Sequence, residues 1–120
     1  MRRYAGAALL LAALAPAIAR ADGDGARGRE LYETRCIGCH SIDADRIGPR
    51  HRGLIGRRAG SVAGFDYSPA LRGATVVWDA RTLDRWLADP EATIPGQRMN
   101  YRVGDARDRA DLIAYLTTAR

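Results

Sequence analysis

Beyond an apolar run at its start, the chain repeats apolar side chains at three- and four-residue intervals in only three stretches, and these predict three helices. Over residues 24–34 the period is carried by Gly28, Leu31, Tyr32 and, just past the end, Arg35. A second helix starts after Asp79, an N-cap residue type, and runs over residues 80–88 with Leu83, Trp86 and Leu87 on one face, until Asp89-Pro90 ends it. The third begins near Asp105 and has Leu112, Ile113 and Leu116 as its apolar stripe. Between them the pattern dissolves. Residues 41–71 are broken by Gly48-Pro49, Gly53, Gly56, Gly60, Gly64 and Ser68-Pro69, and residues 91–104 read as a second loop. No strand candidate is longer than Thr75-Val76-Val77, and no internal repeat is present. So long an irregular segment in a small domain is expected to wrap something.

The opening run reads as an export signal rather than as part of the fold. Arg2 and Arg3 precede apolar residues 5–15, too few to span a bilayer, and Ala19-Arg20-Ala21 is a small-x-small cleavage site. Residues 1–21 are therefore expected to form a cleavable signal peptide and residues 22–120 a single domain; a retained anchor and cleavage after Ala17 or Ala19 are the alternatives. Arg2, Arg3 and Arg20 account for three of the five net positive charges, which leaves the domain at +2. That balance argues against nucleic acid as a partner. Every basic side chain is arginine, so basic contacts are planar and bidentate.

The chemistry is concentrated at Cys36-Ile37-Gly38-Cys39-His40. Cys-x-x-Cys-His is the attachment signature of c-type haem: the two thiols add to haem vinyl groups and the adjoining imidazole is delivered to the iron. Zinc would need ligands beyond these two cysteines and His40, and a thioredoxin-like dithiol would need βαβ surroundings that the pattern lacks. An exported chain suits haem attachment, which needs an oxidising space. A domain of about 100 residues has a modest core, which a covalently held macrocycle would enlarge.

With these residues in view, the chain resembles the class I c-type cytochromes, the branch of mitochondrial cytochrome c and bacterial cytochrome c2, over essentially all of residues 28–116. The likeness rests on Gly28 and Tyr32, the haem motif, Gly48-Pro49, Gly53-Leu54-Ile55-Gly56-Arg57 and Gly64-Phe65-Asp66-Tyr67-Ser68. Further on it rests on Trp78, Thr82-Leu83, Ile94-Pro95-Gly96-Gln97-Arg98-Met99 and the run from Arg109 to Leu116. The resemblance implies an all-α fold whose first and last helices cross near Gly28 and Tyr32, with one haem c in a slot between loops. It implies His40 as proximal ligand, Met99 as distal ligand, and the Pro49 carbonyl as acceptor for His40 Nδ1. Arg57, Tyr67 and Trp78 would hold the inner haem propionate. Met99 is also the only methionine outside the expected leader, so any thioether ligand must be Met99.

Five positions depart from the family. His51, the only other histidine, stands where the family has an apolar core residue and is expected to be a packed neutral imidazole rather than a ligand. Trp86 replaces a tyrosine whose hydroxyl bonds the ligand sulfur. Gln97 replaces a threonine that reaches a propionate, Leu71 an asparagine of the same network, and Tyr101 a phenylalanine at the exposed haem edge. These changes touch the surroundings of the ligands and not the ligands themselves.

The expected function is that of a soluble, monomeric, periplasmic single-haem electron carrier, not an enzyme, shuttling one electron between redox proteins such as an oxidase, reductase or dehydrogenase. An acidic docking surface on the partner would meet Arg35, Arg98 and Arg102. Arginines 46, 50, 52, 57 and 58 follow an acidic stretch over residues 22–45, so a dipolar molecule is expected. The competing reading is a haem-based ligand binder or weak peroxidase with a labile Met99. After signal cleavage, no stable membrane insertion is expected.

Overall fold

The computed structural model describes Met1, Ala13 and residues 23–120, and the expected signal peptide lies outside the described residues apart from those two positions. The described chain forms α1 (Gly25–Arg35), α2 (Pro69–Arg72), α3 (Ala80–Ala88), α4 (Pro90–Thr93) and α5 (Ala106–Thr118), an all-α arrangement. Each of these helices has a side-chain cap. Asp24 accepts the Ala26 and Arg27 N–H groups at the start of α1, and Asp105 accepts the Asp108 N–H at the start of α5. At α3 the cap is reciprocal: the Asp79 carboxylate accepts the Thr82 N–H while the Thr82 hydroxyl accepts the Asp79 N–H, both at 2.8 Å.

Two elements were expected as loop. Ser68-Pro69 and Asp89-Pro90 do interrupt what precedes them, but each also starts a helical turn, because proline at the first helical position follows a residue whose side chain caps it. Ser68 accepts the Leu71 N–H and Asp89 the Ala92 N–H, at 3.1 Å each. The stretch Thr75-Val76-Val77 contributes only an isolated bridge between Arg58 and Val77.

The frame is the crossing of α1 and α5. A side chain at Gly28 would stand 1.8 Å from the Asp111 carbonyl, so only hydrogen fits and the two backbones touch. Around this contact Tyr32 packs on Tyr115 with centroids 5.3 Å apart. Asp111, only 3 % exposed, accepts the Asp24 N–H at 2.7 Å and Arg27 Nη1 at 2.6 Å, which joins the start of α1 to the middle of α5. Arg109 in turn donates to Asp84 at 2.7 Å and to the Val103 and Gly104 carbonyls, fixing α5 against α3.

The loops complete the core instead of merely covering it. Leu54, Val62, Ile94 and Val103 are buried beside Leu83, Leu112 and Leu116 from the helices. Backbone pairs hold the irregular segment in place: Gly53 N–H to Ala119 O, Gly56 N–H to Trp78 O, Ala59 N–H to Val76 O. At Gly60, with φ +70°, a Cβ would meet the Leu71 carbonyl at 2.0 Å. No described helix is long and apolar enough to cross a membrane.

Candidate haem site

α1 runs straight into the attachment motif. Cys36 is its C-cap, and both the Cys39 and His40 N–H groups return to the Cys36 carbonyl, at 3.1 and 2.9 Å, so the two thiols and the imidazole share one tight turn. Arg46 closes that turn by donating to the Ile37 and His40 carbonyls. Cys36 is half-buried and packs on the core, while Cys39 is exposed. Burial pushes the Cys36 thiol up, and the neighbouring Arg35 opposes the shift.

His40 is held on several sides. Its Nδ1–H donates to the Pro49 carbonyl at 3.0 Å, which fixes the tautomer and leaves Nε2 unprotonated with its lone pair available. Gly48 lies so close that a Cβ there would stand 2.1 Å from Cε1 of the ring. Burial lowers the His40 pKa, which favours the neutral form that can bind a metal. Against His40 stacks His51, centroids 4.1 Å apart, whose own Nδ1 meets the Tyr32 hydroxyl at 2.9 Å. Burial first, then His40 and Arg57, push the His51 pKa down to about 3, so this second imidazole is neutral as well.

Arg57, Tyr67 and Trp78 form one corner. The Trp78 N–H donates to the Arg57 carbonyl at 2.9 Å, and the Arg57 guanidinium and Tyr67 phenol affect each other's ionisation. Their polar ends already have backbone partners: Arg57 donates to the Arg50 and Arg52 carbonyls, and the Tyr67 hydroxyl accepts the Val62 N–H at 3.0 Å. Trp78 is buried and tilts against Trp86, centroids 5.4 Å apart.

Met99 lies half-buried against the core in the loop between α4 and α5. Here the structure adds what residue types alone did not signal. Gln97 is buried and bonded to Glu91 and Asn100. Tyr101 is exposed as expected, and its hydroxyl accepts Arg35 Nε at 2.7 Å, so an arginine assigned to the docking edge is tied to the Met99 loop and to Asp108. The expected charge separation is also softened, because Arg50 pairs with Asp45 at 3.1 Å and Arg52 with Asp43.

This donor set fits a c-type haem: two thiols on one turn, an imidazole whose tautomer is fixed, and a thioether on a separate loop. Among the described residues no group of three His, Cys, Asp or Glu side chains gathers to complete a zinc site.

Comparison with known proteins agrees. The family profile described as Cytochrome c matches residues 25–120. The chain is 44 % identical over 97 residues to "Cytochrome c 2.1" of Caenorhabditis briggsae, covering 78 % of this chain and 87 % of that protein. It is 41 % identical over 99 residues to "Cytochrome c-type cyt cy" of Rhodobacter capsulatus, covering 80 % of this chain and 49 % of that protein. Among solved structures, cytochrome cH from Methylobacterium extorquens superposes with a TM-score of 0.76 at 36 % identity, covering 80 % of this chain and 99 % of that one. The chain belongs to the cytochrome c family: it is a class I c-type cytochrome, a haem electron carrier with covalently bound haem c.

Proposed function

We propose that this cytochrome is a soluble, exported, monomeric carrier that moves one electron at a time between redox proteins in the periplasm, with His40 and Met99 as axial ligands. Thioethers from Cys36 and Cys39 anchor the cofactor. The observation that carries the reading is the His40 Nδ1 to Pro49 hydrogen bond at 3.0 Å, because it fixes the tautomer in which the remaining ring nitrogen keeps a lone pair for iron. When bound, haem supplies one-electron iron chemistry.

The residues do the rest. His40 and Met99 would hold the iron from two sides, leaving no open position for a substrate, as befits an electron carrier rather than an enzyme. Arg57, Tyr67 and Trp78 would hold the inner propionate, and the two polar side chains also hold backbone groups of the surrounding loop. Arg98 and Arg102, both exposed, offer basic contacts to an acidic redox partner. Export is supported by the Arg2-Arg3 start, the apolar run and the small-x-small site of the leader.

The test is spectroscopic. Ferric protein at neutral pH is expected to have the far-red sulfur-to-iron absorption band, and Met99→His to lower the midpoint potential by a fraction of the roughly 0.8 V that axial ligands span. Absence of the band with an unchanged potential would remove Met99 from the iron and leave the haem-based binder or peroxidase as the reading.

A further inference from the structure

The loop that carries Met99 has few of the usual supports. Pro95, Gly96, Arg98, Asn100 and Tyr101 are all exposed, and no regular helix or strand holds the segment. Yet Gln97, in the middle, is only 6 % exposed. A buried amide is costly unless its hydrogen bonds are made, and here they are made in one particular way. The Asn100 N–H donates to Gln97 Oε1 at 2.8 Å, so the other end of the amide must be NH2. That NH2 donates to Glu91 Oε2 at 2.9 Å and to Asn100 Oδ1 at 2.7 Å. The other oxygen of Glu91 accepts the Gly96 N–H at 2.9 Å.

The result is a ring closed by a side chain. Gln97 reaches over Arg98 and Met99 to both the backbone and the side chain of Asn100, and Glu91, on α4, ties the ring to a helix. The backbone is bent to allow it: Gly96 has φ +90° and Asn100 φ +49°, left-handed positions at either side of the clamped residues. Nothing of this reach is available to a threonine, the residue type the family resemblance leads one to expect at position 97.

We propose that Gln97 is the positioning residue of Met99: its amide, anchored by Glu91, pinches residues 97–100 into one conformation and so keeps the thioether from swinging away. This rests on Met99 being an axial ligand. A clamp of this kind does not act on the fold as a whole. It sets the equilibrium between a closed loop and a locally opened one, which has its own free energy, separate from that of global unfolding.

The experiment uses the haem-loaded ferric protein and imidazole as probe, because imidazole reaches the iron only when Met99 lets go. Its apparent dissociation constant is measured beside the far-UV melting midpoint in the parent, Gln97→Leu, Asn100→Gly and a control, Gly28→Ala, which loosens the distant α1–α5 contact. Gln97→Leu is expected to tighten imidazole binding by about ten-fold or more, the effect of removing hydrogen bonds that include one to a carboxylate. Asn100→Gly keeps the backbone N–H that Gln97 holds and is expected to fall between parent and Gln97→Leu, which also serves if the leucine variant does not fold. Gly28→Ala is expected to lower the melting midpoint with little change in imidazole affinity. If imidazole affinity is unchanged in both loop variants, or follows the melting midpoint alike in all three, Gln97 is a stabilising residue only and the proposal falls. If the parent lacks the far-red band and Met99→Ala leaves imidazole binding unaltered, the ligand assignment itself has failed, an outcome recognisable without any Gln97 variant.

Discussion

The imidazole of His51 lies nearly flat on that of His40, centroids 4.1 Å apart and planes inclined by 24°, while its Nδ1 meets the hydroxyl of Tyr32 at 2.9 Å. Tyr32 is 3 % exposed, so its hydroxyl has little access to water if that partner is lost. His51→Leu is therefore expected to cost about 1–3 kcal/mol, the penalty of a buried polar group left unmatched. Adding Tyr32→Phe to His51→Leu should recover most of it. A double-mutant cycle by thermal unfolding checks this, and strictly additive losses would mean that the two groups do not depend on each other.

Gly28→Ala is expected to destabilise the domain by about 1–3 kcal/mol, since the added methyl overlaps the Asp111 carbonyl and α1 must shift to make room. For a domain of this size that corresponds to a fall in melting temperature of roughly 4–8 °C per kcal/mol. A variant that melts with the parent would contradict the backbone contact.

Asp111 connects stability to pH. Its hydrogen bond from Arg27, then that from the Asp24 N–H, hold its carboxyl below the ordinary 3.8, against the opposing effect of desolvation. The unfolded chain thus binds the proton more readily, and the stabilisation is present above the unfolded value and fades as pH falls through the folded one. Asp111→Asn should lower the melting temperature clearly at pH 7, with the gap to the parent closing below pH 3.8. Parallel curves across that range would assign the Asp111 effect to shape and not to charge.

The basic edge gives a kinetic prediction. Arg98 has no acidic partner among the described residues, whereas Arg102 pairs with Asp89 at 3.2 Å, so part of its field is already offset. Electron transfer with an acidic redox protein should slow as salt rises, the screening length being about 8 Å near physiological ionic strength. Arg98→Glu should slow it at low salt more than Arg102→Glu does. Stopped-flow rates independent of salt would leave apolar contact around Tyr101 as the docking determinant.

The sequence made legible whatever is written locally. Asp79 as cap and residues 80–88 as helix are found as expected, because cap, period and terminating proline all lie within a dozen neighbouring positions. Asp24 caps α1, and the haem motif follows it directly. What escaped reading depends on partners far along the chain or on the sense of a single residue. Pro69 and Pro90 were legible as breaks but not as starts, because the same residue serves both and only the capping side chain before it decides. Gln97 was legible only as a departure from a threonine that reaches a propionate, and nothing at positions 96–98 announces that Glu91 and Asn100 will take its amide. The link from Arg35 to Tyr101 spans most of the domain and has no local trace.

The contact between Gly28 and Asp111 also sets an order of events. A chain delivered N-terminus first presents Cys36, Cys39 and His40 while the segment that must cover Gly28 has yet to emerge. Until then α1 lacks its packing partner, and a helix of 11 residues is marginal by itself. The thiols are consequently accessible on a loose segment for as long as α5 is missing, and the packing of α5 on α1 marks the end of that interval.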